Sequence, residues 1–129
     1  MSSTSRNARI EFGDFQTPDD LALAISRRLA AFGIQPDVVI EPTCGVGAFV
    51  LAAAKTFPTA HRIFGFDVNA SYLEMLRERL PDVPNPERVQ LAEADFFGTR
   101  WREKFAALTG RVLVLGNFPW VTNSTQAAI

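Results

Sequence analysis

Four polar side chains stand just past four apolar runs: Glu41 after "DVVI", Asp67 after "RIFGF", Asp95 after "RVQLAEA" and Asn117 after "RVLVLG". Glu41 opens "EPTCGVGAF", where Gly45 permits a tight turn and Gly47 lets backbone approach a ligand with no Cβ in the way. At Asp67 a carboxylate could accept two hydrogen bonds from a ribose diol; the alternative is an acid that satisfies the dipole of the helix following it. Asp95-Phe96-Phe97 offers an acceptor for a purine amino group beside aromatic faces, or else a capping acid next to a core phenylalanine. "NFPW", Asn117 to Trp120, joins an amide carbonyl and backbone carbonyls to a broad stacking surface. Acceptors aimed at an exocyclic amine would hold it in line for attack on an electrophile and favour the charge that grows on nitrogen. Its structural alternative is an Asn-initiated turn with Pro119 and Trp120 packed over the sheet edge.

Other chemistry is less well provided for. The single cysteine, Cys44, excludes an internal disulfide framework and a cysteine zinc site, and its place in the glycine loop suits a small residue in a tight turn. His61, the one histidine, falls in a polar turn with no ligand cluster to join, so no metal is expected. The formal net charge of -1 gives no global basic signature for nucleic acid, so a polyanion would need a local patch or another part of the protein. No window approaches eighteen consecutive apolar residues, so a soluble, cytoplasmic protein with no membrane partner is expected.

The elements that must position these residues follow from periodicity and punctuation. At 129 residues, 47% hydrophobic and with eleven Phe, the chain is long and apolar enough to build one core. Residues 1–11 are expected to form a flexible arm. Thr17 is the expected cap of a helix with Pro18 in first position, whose inward face is Leu21, Ala24, Ile25 and Leu29 and which closes at Gly33. Strands are expected at Val38 to Ile40, over "HRIFGFDV", over "RVQLAEAD" and at Val112 to Leu115. Between them lie an Ala-rich helix after the glycine loop, a helix capped by Asn69 with Tyr72, Leu73, Leu76 and Leu80 on one face, and a short helix turning Trp101, Phe105 and Leu108 inward. "PDVPNPE" must be a loop. Continuous rather than alternating apolar runs imply strands covered on both faces, as in the parallel sheet of an α/β fold. Ligands of such sheets bind beyond the carboxyl ends of the strands, where all four polar residues fall.

Three segments resemble the S-adenosylmethionine-dependent amino-methyltransferases, most closely the adenine-specific DNA methyltransferases of the gamma arrangement. "FGDFQTP" is similar to that group's N-terminal motif, "EPTCGVGAF" to its cofactor glycine loop, and "NFPW" to its catalytic Asn/Asp-Pro-Pro-aromatic tetrapeptide, in the gamma order. The resemblance implies a Rossmann-like class I methyltransferase fold, three-layer α-β-α around a mainly parallel sheet, with strand order 3-2-1-4 here. It also implies S-adenosyl-L-methionine as cofactor. Phe15, Thr17 and Pro18 would border its methionine end, Glu41, Thr43, Gly45 and Gly47 would cradle it, Asp67 would take the ribose hydroxyls, and Asp95 and Phe96 would hold its adenine. Asn117 and the carbonyl of Phe118 would accept from the target amine, and Trp120 would stack on the base, which must be flipped from the duplex; Pro119 is counted with them in the catalytic tetrapeptide. Phe118 departs from the family pattern: it keeps the carbonyl of the first proline but loses the ring that restrains φ.

By the same resemblance residues 12–129 are the N-terminal part of a methyltransferase catalytic domain whose complete sheet has seven strands. The fourth strand would be an exposed apolar edge, so a missing C-terminal region or a partner chain is expected to cover it. The chain alone is then expected to be inactive, with DNA, and a place in a restriction-modification or related defence system, belonging to the full-length protein. The competing expectations are methylation of adenine in RNA or of a protein glutamine, and a non-catalytic nucleoside-binding module. Hydride transfer is opposed by Val50, where a third glycine would stand, and by a tetrapeptide with no purpose in that reaction. Methylation of a cytosine ring carbon would need a cysteine in the tetrapeptide.

Overall fold

A computed structural model describes residues 16–119 of the chain. The expected arm at 1–11, Phe15 and Trp120 lie outside the described residues. Strands and helices alternate as α1 (Asp19–Ala31), β1 (Val38–Glu41), α2 (Ala48–Thr56), β2 (Arg62–Asp67), α3 (Ala70–Arg79), β3 (Val89–Glu93), α4 (Trp101–Ala106) and β4 (Val112–Val114). The sheet is parallel in every pairing, with order β3-β2-β1-β4, as expected. The central strand β1 is buried at each of its positions, and its Val39 lies opposite Ile63 of β2 and Leu113 of β4.

Alternation along the strands separates two apolar layers. Val39 and Ile63 face a large cluster built with Ala22 of α1, the Ala-rich α2, and Leu73 and Leu76 of α3. Val38, Ile40 and Phe66 point the other way, onto Trp101, Phe105 and Leu108. The three-layer α-β-α arrangement is therefore present, but its second layer is thin. Among the described residues the short α4 is its one helix, so Val112 and Val114 of β4 stay 37% and 40% exposed. Strands covered on both faces hold for β1 and fail for β4. Among the described residues β4 also has β1 as its one neighbour, which leaves its outer edge open.

Local rules account for most boundaries. Asn69 caps α3, accepting from the backbone N–H of Ser71 and Tyr72 at 2.9 and 3.3 Å. At α1 the start is shifted: Pro18 occupies the cap position, Asp19 begins the helix, and no side chain caps it, so Thr17 is not the cap. Its inward face is also displaced from expectation. Ala22 and Ser26 are fully buried, Leu29 packs on the core, and Leu21, Ala24 and Ile25 face outward. The reason is the close approach of α1 to the Ala-rich α2, which favours small residues at the contact.

The proline-rich connection from α3 to β3 contains two short 3-10 turns, Leu80–Asp82 and Pro86–Arg88. It is pinned by Arg88, whose guanidinium donates to the carbonyls of Ala54, Phe57, Ala60, Pro84 and Asn85 at 2.8 to 3.2 Å. These bonds satisfy all five of its N–H groups and tie the loop to the end of α2. Among the described residues no helix is long and apolar enough to cross a membrane.

Candidate functional site

The carboxyl ends of the four strands open into one cleft of about 310 Å³. Glu41 and Thr43 line it after β1, Asp67 after β2, Asp95 and Phe96 after β3, and Asn117 and Pro119 after β4, with Thr17 entering from the segment before α1. The fold thus brings eight of the expected site residues together. Pro18, Gly45, Gly47 and Phe118 lie off the cleft wall.

The turn from β1 to α2 is held from three sides. Gly45 N–H donates to Asp67 Oδ2 at 2.8 Å, Val46 N–H to Gln16 Oε1 at 3.1 Å, and Cys44 N–H to the carbonyl of Phe66 at 2.7 Å. Gly45 and Gly47 have φ of 56° and 99°, the left-handed region that favours glycine. The space left by their missing side chains goes to protein. A β-carbon on Gly45 would stand 2.9 Å from Gln16 Cδ, and one on Gly47 would stand 2.9 Å from Leu76 Cγ. The second glycine therefore serves close packing of α3 where an open approach for a ligand was expected.

Glu41 is 2% exposed. Its Oε1 accepts from Thr43 N–H at 2.8 Å, and Thr43 Oγ1 lies 3.5 Å both from this oxygen and from the carbonyl of Asn117. Burial pushes the Glu41 carboxyl up to about 8; the Thr43 bonds oppose the rise and the charge of Asp67 adds to it. Burial likewise pushes the Cys44 thiol up, so it is a packed, inert group. Asp67 Oδ1 accepts from Asn69 N–H at 2.8 Å, and with one bond to each oxygen the carboxylate keeps lone pairs for further donors. Asp95 Oδ1 accepts from Phe97 N–H at 3.1 Å.

Phe96 anchors the aromatic side of the cleft. Its carbonyl accepts from Trp101 Nε1 at 2.8 Å, the Phe97 ring meets it edge-on at 5.2 Å, and the Phe118 ring stacks on it at 5.9 Å with 20° between planes. Gln16, Val68 and Phe97 also line the cleft. Gln16 and Val68 are additions to the expected site residues. The signal for Val68 was an apolar residue directly after a strand-terminal acid, here 71% exposed. Gln16 sits inside the quoted "FQTP" segment, and its contact with Val46 spans thirty residues of chain.

No protein-family model matches the chain. Over 129 residues, its whole length, it is 40% identical to the type II methyltransferase M.NspV of Nostoc sp.. The chain is a relative of the type II methyltransferases. A second such enzyme, M.CvrRI of Paramecium bursaria Chlorella virus XZ-6E, is 28% identical over 121 residues, 94% of the chain. The chain spans 27% and 28% of the lengths of these two curated relatives. Among solved structures, an RNA methyltransferase from Salinibacter ruber in complex with S-adenosyl-L-homocysteine aligns with TM-score 0.53 and 22% identity, over 66% of the chain and 53% of that protein. A candidate RNA methyltransferase from Pyrococcus horikoshii aligns with TM-score 0.55 and 18% identity, over 67% of the chain and 42% of that protein. The fold of this methyltransferase relative is the class I methyltransferase fold.

Proposed function

We propose that the full-length protein carrying this chain transfers a methyl group from S-adenosyl-L-methionine to the exocyclic amino group of adenine in DNA. One observation carries the proposal: the acceptors Glu41, Asp67, Asp95 and Asn117, from the ends of four separate strands, line a single cleft. The relationship to type II methyltransferases supports the reaction class and DNA as partner.

The residues present fit the cofactor. Asp67 retains acceptor capacity for ribose hydroxyls, and Asp95 stands with Val68, Phe96 and Phe97 where an acceptor and apolar faces suit an adenine. Gln16, Thr17, Glu41 and Thr43 would border the methionine end, where the Glu41 carboxyl and the Thr17 and Thr43 hydroxyls offer hydrogen-bond acceptors. When bound, the cofactor supplies a methyl carbon activated by its sulfonium, taken by the amine nitrogen as the carbon–sulfur bond breaks. Asn117 Oδ1 would accept one amine N–H, orient the nitrogen and favour its developing positive charge, after which a proton passes to solvent. Pro119 would hold the turn beside it, and Phe118 would offer its carbonyl. A missing C-terminal region or a partner chain would cover β4.

The test is to incubate the full-length protein with methyl-labelled S-adenosyl-L-methionine and, separately, duplex DNA, RNA and protein extract, then digest and identify the labelled product. N6-methyladenine from DNA is expected. Label confined to RNA adenine or to glutamine would replace the proposal with one of those substrates.

A further inference from the structure

We propose that Phe118 is a positioning residue: its ring, stacked on Phe96, fixes the backbone carrying Asn117 in place of the restraint that a proline ring would impose. As it concerns catalysis, this rests on the function proposed above. The side chains on either side of it, Asn117 and Pro119, line the cleft, and Phe118 does not. Its ring instead meets Phe96 at 5.9 Å and 20°, a stacked pair. Phe96 is a firm support. Trp101 Nε1 holds its carbonyl, and the Trp101 ring meets Phe66 edge-on at 5.5 Å within the second apolar layer. On its other side the same loop lies by Thr43, whose hydroxyl is 3.5 Å from the Asn117 carbonyl. The amide is thus set between a polar contact from the β1 turn and an aromatic contact from the β3 turn. An unsupported phenylalanine would leave φ free to vary, whereas this one is tied to a residue that itself lines the cleft.

The test uses Phe118→Ala and Phe118→Pro in the full-length protein. Three quantities are read: kcat for methyl transfer, cofactor Kd, and amide hydrogen exchange at Gly116 and Asn117. Loss of the stack in Phe118→Ala should lower kcat about tenfold, leave cofactor Kd within about twofold, and speed exchange about tenfold. Phe118→Pro should return kcat to within about threefold of wild type, because proline holds φ near about −65°. Phe118→Ala matching wild type in kcat and exchange, or Phe118→Pro no better than Phe118→Ala, would overturn the assignment. If the wild-type protein transfers no methyl group, the proposed function fails and exchange alone decides. Phe118→Ala and Phe96→Ala should each speed it, with no further gain in the double variant. Unchanged or additive exchange would overturn the assignment.

Discussion

Gly116 lies against the carboxyl group of Glu41: a β-carbon added to this glycine would stand 2.6 Å from Glu41 Cδ. The carboxyl cannot easily turn away, because it is buried and held by Thr43 N–H at 2.8 Å. Gly116→Ala must therefore displace either Glu41 or the loop carrying Asn117. We predict a loss of about 1–3 kcal/mol in stability, the usual cost of overpacking, read from denaturant unfolding. Titration calorimetry with S-adenosyl-L-homocysteine should show a weakened complex as well. Wild-type stability and affinity in the variant would mean that the close approach imposes no constraint.

The raised Glu41 carboxyl sets a pH dependence whose sign is fixed. Its ordinary value is 4.5 and its folded value about 8, so across that interval the folded chain keeps a proton that the unfolded chain releases. Stability should fall as pH rises from about 4.5 to about 8 and be level in this respect above it. Glu41→Gln, neutral throughout, should flatten the fall. Denaturant midpoints measured across the interval decide the matter, and an equal fall in wild type and variant would assign it to other groups.

Arg88 makes its five bonds to backbone carbonyls at the end of α2, in the turn that follows it and in the loop after α3. Removing the guanidinium strands several acceptors at once. We expect Arg88→Ala to cost about 3 kcal/mol and Arg88→Lys to recover little of it, since an ammonium cannot reproduce the planar fork. Thermal or denaturant unfolding measures both, and a loss under about 0.5 kcal/mol in Arg88→Ala would contradict the staple.

The order of elements was legible because each signal is local, whereas the strand order 3-2-1-4 was implied only by the resemblance to the methyltransferases. Apolar runs mark the strands, Asn69 marks the start of α3, and prolines mark the loop before β3. The convergence of Glu41, Asp67, Asp95 and Asn117 was legible for a topological reason, since parallel strands deliver all their carboxyl ends to one edge. What escaped depends on pairs distant in sequence. Large apolar residues pointed to Leu21 and Ile25 as the inner face of α1, but the contact with α2 selects the small Ala22 and Ser26. Gln16 reaching Val46, Gly116 yielding to Glu41, and Phe118 lying on Phe96 are contacts that periodicity does not encode. The five carbonyl partners of Arg88 are likewise set by tertiary structure, with no signal in the loop's own sequence.

Asn117 is the residue on which the proposed amine methylation in the cleft depends most closely. In the full-length protein, Asn117→Ala should lower single-turnover methyl transfer to adenine in DNA by at least about a hundredfold, as loss of a preorganised hydrogen-bond partner does. Cofactor Kd, measured on the same preparation by titration calorimetry, should stay within about threefold of wild type, because the cofactor contacts proposed here belong to other strands. Transfer at the wild-type rate by Asn117→Ala would contradict the role assigned to this amide, and with it the proposed chemistry of the cleft.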